Sequence, residues 1–168
     1  MADTQPAAEL PETLANRFPD VESSTFRGQR RVVVDAVRAH DFLAAARNSG
    51  FDLLVDVTCV DYLEYRGAVH RYGLVYLLAS TTSGARITVR VHLDDPHPTV
   101  ASCVDVWPGA EWLEREVWDM FGIRFEGHPD LRRLLMPEEF SAHPLRKDYP
   151  LQGRGERHNF PVLTRDDG

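Results

Sequence analysis

The 168 residues are 43% apolar and 27% charged, enough for one domain with a real hydrophobic core and a tail. The net charge of −7 argues against nucleic acid or an anionic membrane surface as the main partner, because both reward basic surfaces. All of that excess sits in residues 1–123, since 124–168 balance eight basic against eight acidic side chains.

Met1–Leu10 carries acids and no apolar stretch, so it does not read as a secretory signal. Pro11–Arg17 opens a short helix with Leu14 and Phe18 on one face. The Val32-Val33-Val34 run in Arg31–Ala36 reads as a strand. Ala39–Asn48 is a helix, with Ala39, Phe42, Leu43 and Ala46 sharing a face and Gly50 closing it.

Three strands follow. In Leu53–Val60, alternation puts Leu53, Val55, Val57 and Cys59 together. Tyr72–Ala79 is apolar on both faces, as a central strand is, and its Leu74–Ala79 run is too short to span a bilayer. Arg86–Leu93 points Ile87, Val89, Val91 and Leu93 inward. The Ser80–Gly84 link is a hairpin loop, so this middle part is an antiparallel meander. After Pro96 and Pro98, Thr99–Val106 and Ala110–Phe121 read as helices; the second has a Leu113/Val117/Met120/Phe121 stripe and Gly122 as a left-handed stop. The expected class is α+β: a small, mostly antiparallel four-stranded sheet with helices packed on it.

From Pro137 onward periodicity stops, and Pro137, Pro144, Pro150 and Pro161 alternate with Arg146, Lys147, Arg154 and Arg157. Such a long stretch without secondary structure is unusual inside a compact domain. Phe140, Tyr149 and Phe160 set it apart from ordinary disordered composition. The division expected is a core of residues 1–136 and an extended, partner-binding tail of 137–168.

Candidate chemistry is thin. His92, Asp94, Asp95 and His97 are spaced as metal ligands could be, but equally as a polar loop. His128 and His143 each precede a proline, which suits turns as well as a site. Cys59 and Cys103 form no CxxC, which disfavours a zinc or iron–sulfur site, and two cysteines do not make a disulfide scaffold. Gly153-Arg154-Gly155 follows no strand and is no phosphate loop. Trp112 and Trp118 do not both fit the helix stripe. They mark either an exposed interface or a second face buried under the tail.

Residues 114–135, ERE-VW-D-MF-GIRFEG-H-PDL-RRLL, resemble the signature of the C-subunit (30 kDa subunit) family of proton-pumping NADH:quinone oxidoreductase, respiratory complex I. The pattern is met by Glu114, Arg115, Glu116, Asp119, Met120, Phe121, His128, Arg132, Leu134 and Leu135. His143-Pro144-Leu145-Arg146-Lys147-Asp148-Tyr149-Pro150-Leu151 is similar to the family's close. The resemblance implies a non-catalytic structural subunit of the peripheral arm, supporting electron transfer from NADH to quinone coupled to proton translocation. No catalytic, cofactor-binding or metal-ligating residue is then assigned to this chain, with FMN and iron–sulfur clusters expected in partner subunits. The implied partners are the D and B subunits of complex I, with its I subunit a third candidate, on the cytoplasmic face of the cell inner membrane. The close alternative is the equivalent subunit of a membrane-bound hydrogenase or ferredoxin-linked quinone oxidoreductase. The remote one is a stand-alone metal enzyme using the His92–His97 cluster.

The signature is expected to wire a helix end to the tail and to the D subunit. Glu114, Glu116 and Asp119 supply carboxylates, and Arg132, Arg133 and Arg146 supply guanidinium forks. Gly122 permits the chain reversal, and Arg115, His128, Pro144, Lys147, Asp148, Tyr149 and Pro150 complete the set.

Overall fold

The computed structural model describes residues 11–155. The order of elements is α1 (Glu12–Arg17), β1 (Glu22–Phe26), β2 (Gln29–Val34), one turn of 3-10 helix (Ala36–Arg38), α2 (Ala39–Asn48), β3 (Leu53–Asp61), β4 (Tyr72–Ala79), β5 (Arg86–Leu93), β6 (Thr99–Ala101), α3 (Ala110–Phe121) and β7 (Arg124–Glu126). The expectations for Met1–Leu10 and for the tail beyond residue 155, with Arg157, Phe160 and Pro161, lie outside the described residues.

The class is α+β as expected, but the main sheet has five strands in the order β1-β2-β5-β4-β3 and is mixed. The meander β3-β4-β5 is antiparallel, whereas β2 joins β5 in parallel, with Val32 opposite Val89. The fifth strand, β1, is wholly exposed and has no inward apolar pattern. It forms because Arg27 and Gly28 both take positive φ, the mirror-image turn that matches strand twist, and so fold it back on β2.

Two further expectations are corrected. Thr99–Val106 is not a helix: Thr99–Ala101 is strand β6, paired in parallel with β7 as a second small sheet, and its β-branched Thr99 and Val100 suit a strand. In β3 the inward set is Leu54, Val57, Cys59 and Asp61 rather than Leu53 and Val55, which are about half exposed. A bulge between Leu54 and Asp56 inserts Val55 as an extra residue and flips the face.

One face of the sheet makes the core. Val32, Val89, Val91, Leu74, Tyr76 and Leu78 are buried there together with Leu14, Phe18, Phe42, Leu43 and Ala46 of the first two helices. Helix α2 ends in a Schellman motif: Phe51 N–H donates to Ala46 O and Gly50 N–H to Arg47 O, with Gly50 left-handed. Helix α3 buries Val117, Met120 and Phe121 and stops where Gly122 turns left-handed at φ 80°.

Residues 137–155 contain no helix or strand. They are not free of the core. Phe140 is buried, and Leu145 N–H donates to Met120 O at the end of α3. This order comes mainly from polar groups, since Leu145 and Leu151 stay exposed.

Candidate functional site

Two buried carboxylates organise the C-terminal segment. Asp119, near the end of α3, is fully buried. Its Oδ2 accepts three consecutive backbone N–H groups, from Leu134 (3.0 Å), Leu135 (2.8 Å) and Met136 (2.9 Å). Its Oδ1 accepts from Arg133 Nη1 at 2.6 Å. Burial by itself pushes this carboxyl's pKa up; the Met136 amide, Arg133 and the other two amides outweigh that and hold it below the usual range.

Asp61 is the second. It ends β3 on the inward face and accepts from Leu63 N–H at 2.9 Å and from Lys147 N–H at 2.8 Å. Arg71 reaches it at 3.3 Å and also pairs with Asp95 and, at 2.7 Å, with Asp148 of the tail. Arg146 adds bonds to Asp148 at 3.0 and 3.1 Å. Burial raises the Asp61 pKa less than the Lys147 and Leu63 amides and Arg71 lower it, so it too stays ionised. Arg146, against partial burial, and Arg71 hold the Asp148 carboxyl far down.

Between these clasps the segment crosses the end of α3. His143 Nδ1 donates to Asp119 O at 3.0 Å, and its ring lies edge-on to Trp118. Arg133 donates to Ala142 O at 2.9 Å and sits 5.7 Å from the Trp118 ring. The buried Arg115 donates to Arg132 O and Arg133 O, fixing the loop before the segment. His128 accepts from Asp130 N–H through Nδ1, so its proton is on Nε2, which donates to Glu111 O at 3.0 Å.

Of the three carboxylates expected to meet these arginines, Asp119 alone does, at Arg133. Glu114 is buried and turns to Ser102 Oγ (2.6 Å) and Cys103 N–H (2.8 Å), tying α3 to the loop after β6. Its pKa is raised by burial, against those two bonds. Glu116 is exposed and makes no ion pair among the described residues. Arg132 pairs with Asp130, and Arg146 with Asp148 and Asp95. The two tryptophans split: Trp118 lies under the tail, and Trp112 is 54% exposed beneath Arg115. Pro144 follows His143, whereas Tyr149 packs edge-on to Phe140 and carries the chain to Pro150.

The metal reading of His92–His97 does not assemble. Asp94 is taken by His70 Nδ1 (2.7 Å) and Arg71 N–H, and Asp95 by Arg71. Among the described residues no group of three or more His, Cys, Asp or Glu is placed to hold a metal. Cys59 and Cys103 are both buried and free, and burial pushes the Cys59 thiol up to about 12. Asp61 and Arg71 were not singled out from sequence. The available signal was the alternation Val57, Cys59, Asp61, which sends a carboxylate inward and so requires partners.

The pH response has a definite sign. Burial, reinforced for one by His70 and Arg90 and for the other by Arg133 and Arg146, lowers the pKa of His92 and His143. The unfolded chain therefore binds protons first, and stability falls as pH drops below about 6.5. Asp61 and Asp119 are depressed, so their contribution is complete above about pH 3.9 and is lost as pH falls further. Glu114 opposes this weakly, because a raised carboxyl loses stability as pH rises. Thermal melts from pH 8 to pH 3 should show a shallow decline and then a steep one; a melting temperature flat from pH 7 to 3 contradicts these shifts.

The fold and these clasps define an α+β domain whose C-terminal segment is held against it by backbone amides on buried carboxylates. The family model for "Respiratory-chain NADH dehydrogenase, 30 Kd subunit" matches residues 32–155. The chain is 43% identical over 160 residues to the C subunit of NADH-quinone oxidoreductase from Trichlorobacter lovleyi, covering 92% of this chain and 94% of that one. It is 44% identical to the C subunit from Roseiflexus sp., with 86% and 84% covered. Among solved structures, a trypsin-resistant fragment (1-134) of Nqo5 superposes with a TM-score of 0.64 at 36% identity, over 68% of this chain and 92% of that one. A chain of an archaeal membrane-bound sulfane sulfur reductase gives 0.75 at 26% identity, over 92% and 91%. The chain belongs to the 30 kDa subunit family of respiratory-chain NADH dehydrogenase and is thereby a subunit of an oxidoreductase complex. No helix among the described residues is long and apolar enough to cross a membrane.

Proposed function

We propose that this chain is a non-catalytic, architectural subunit of the peripheral arm of complex I, held on the cytoplasmic face of the cell inner membrane by its neighbours. In this reading electron transfer from NADH to quinone, and its coupling to proton translocation, run through FMN, iron–sulfur clusters and a quinone site in other subunits. The core of residues 1–136 is the wedge, and 137–168 is the part that lies along the D and B subunits, with the I subunit also within reach.

The observation that carries this is the outward face of the clasped segment. Its backbone is tied inward at Asp119 and Asp61, while Leu145 (53% exposed) and Leu151 (fully exposed) point away from the core. A segment ordered by polar contacts that displays large apolar side chains is suited to burying them on a partner. The related Nqo5 structure is a trypsin-resistant fragment, which fits a core that withstands cleavage better than the chain beyond it.

Leu145→Asp with Leu151→Asp is expected to leave the melting temperature of the isolated chain within about 2 °C, since both side chains are exposed. In cells it should reduce co-purification of the other subunits, and membrane NADH:quinone reductase activity, by tenfold or more. Normal assembly of that variant would remove the tail from the interface. Glu116→Lys tests the signature helix in the same way, because Glu116 is exposed and free to meet a partner.

A second reading is favoured by the sulfane sulfur reductase chain, which superposes over nearly the whole length. There the chain would serve a complex with another electron donor, such as a hydrogenase or a ferredoxin-linked oxidoreductase. Affinity purification of the tagged chain from native membranes separates the two: an NADH-oxidising flavoprotein in the preparation supports complex I. A chain that purifies alone overturns both.

A further inference from the structure

The sheet has one face that no helix among the described residues covers. On it, neighbouring strands present Arg31 and Val33 of β2, Thr88, Arg90 and His92 of β5, and Val75 of β4, by the registers Arg31↔Thr88, Val33↔Arg90 and Val75↔Arg90. Most of these side chains are half-buried, whereas the opposite face of the same strands is almost fully buried.

Two features single this face out. The first is polar groups left without partners among the described residues. Arg31 and Arg90 form no ion pair among the described residues, although each is only partly exposed; Arg31 instead lies over the Phe26 ring at 4.3 Å. Among the described residues, the Nε–H of Arg90 and the Nδ1 of His92, two residues apart on β5, are buried without a hydrogen-bond partner. The acids of this face, Glu22 and Asp56, stand on the two outer strands. The second feature is a cavity of about 470 Å³ that continues the face at one end, lined by Val33, Tyr62, Tyr65, Val69, His70 and His92. Its walls are set: Tyr62 lies so close over Gly73 that a Cβ there would meet its ring at 2.8 Å, and His92 stacks on His70 with centroids 5.1 Å apart.

We propose that this open face docks a segment of another protein carrying a carboxylate beside a large apolar side chain. The carboxylate takes the Arg90 guanidinium, with Arg31 on the neighbouring strand adding positive charge, and the apolar group fills the Tyr62/Tyr65/His70 cavity. A planar guanidinium favours a bidentate carboxylate. Two arginines on a chain of net charge −7 are too few for a polyanion such as nucleic acid or an anionic bilayer. The proposal rests on the reading of the chain as one component of a larger complex and adds a second surface to the clasped tail.

The test places p-benzoylphenylalanine at Thr88, opposite Arg31 and two residues before Arg90, and separately at Leu151, in the full tagged chain expressed in its native host. Irradiation of membranes should give a Thr88 adduct with one equimolar co-purifying protein, the cross-linked peptide containing Asp or Glu. Arg31→Glu with Arg90→Glu should cut that adduct by tenfold or more, and Arg31→Lys with Arg90→Lys should restore part of it, which separates lost charge from lost folding. A Thr88 adduct with a second copy of this chain, with its own residues outside 11–155, or with lipid overturns the proposal. So does no adduct at Thr88. If Leu151 still cross-links, the open face alone is refuted; if neither position yields a partner, the subunit reading falls with it.

Discussion

Asp119→Ala is expected to lower the stability of the isolated chain by about 3–5 kcal/mol, the range for removing one partner of a buried, hydrogen-bonded charge pair. For a domain of this length that corresponds to a fall of roughly 6–20 °C in melting temperature. The effect is large because one carboxylate serves four donors. Without it, the amides of Leu134, Leu135 and Met136 converge on an apolar methyl, and Arg133, only 11% exposed, keeps its charge with no counter-ion. Asp119→Asn separates the contributions: the amide oxygen still accepts, but the charge is gone and an NH2 faces donors. It should fall between wild type and Ala. Hydrogen exchange at Leu134–Met136 should accelerate in both variants even where α3 itself stays protected. Loss below about 1 kcal/mol for Asp119→Ala, measured by urea titration, would mean the clasp is ornamental.

The second large effect is at Gly122. It needs glycine twice over. Its φ of 80° ends α3 in the left-handed region, which costs a residue with a Cβ about 1–2 kcal/mol. A Cβ there would also lie 2.7 Å from His143 Cδ2 and 2.8 Å from its Nε2. That ring cannot easily withdraw, since Nδ1 is bonded to Asp119 O and the ring edge rests on Trp118. Gly122→Ala should therefore destabilise by about 2–4 kcal/mol, adding the overpacking cost to the backbone cost. A double-mutant cycle with His143→Ala splits the two. If the steric account is right, Gly122→Ala in the His143→Ala background costs only the backbone part, about 1–2 kcal/mol. An unchanged cost would assign all of it to φ. Either variant should also release the tail, so that trypsin cuts at Arg146 or Lys147 sooner than in the parent chain.

These positions lie inside the motif that made the chain recognisable, and they explain what the motif is for locally. Glu114, Arg115, Asp119, Gly122, His128 and Arg133 fold the end of α3, the loop after β7 and the tail into one unit. Glu116 and Trp112, exposed on the same helix, remain available to a partner. A helix of this kind reads as a row of interface residues in sequence, yet most of its charged side chains point inward to backbone groups.

Local pattern carried the sequence reading where a single element decides its own burial. Arg86–Leu93 alternates cleanly and is a strand with those inward residues. Ala39–Asn48 and Ala110–Phe121 repeat at helical spacing and end at glycines that turn left-handed. The family signature is likewise local, a spacing within one helix and the loop after it. What sequence could not carry were choices made between distant segments. β1 has no apolar face and exists only by pairing with β2. The parallel joint of β2 to β5 brings together residues far apart in the chain. The bulge at Val55 inverts a face that alternation alone assigns the other way. The partners of Asp119 and Asp61 are backbone amides of Leu134–Met136 and Lys147, and an amide has no side-chain identity to read. Sequence by itself therefore determined the three helices, strands β2 to β5, the class and the family, because those rest on periodicity and spacing. Tertiary structure alone decided which carboxylate holds which segment, because a buried charge takes whatever donors the fold brings within about 3 Å.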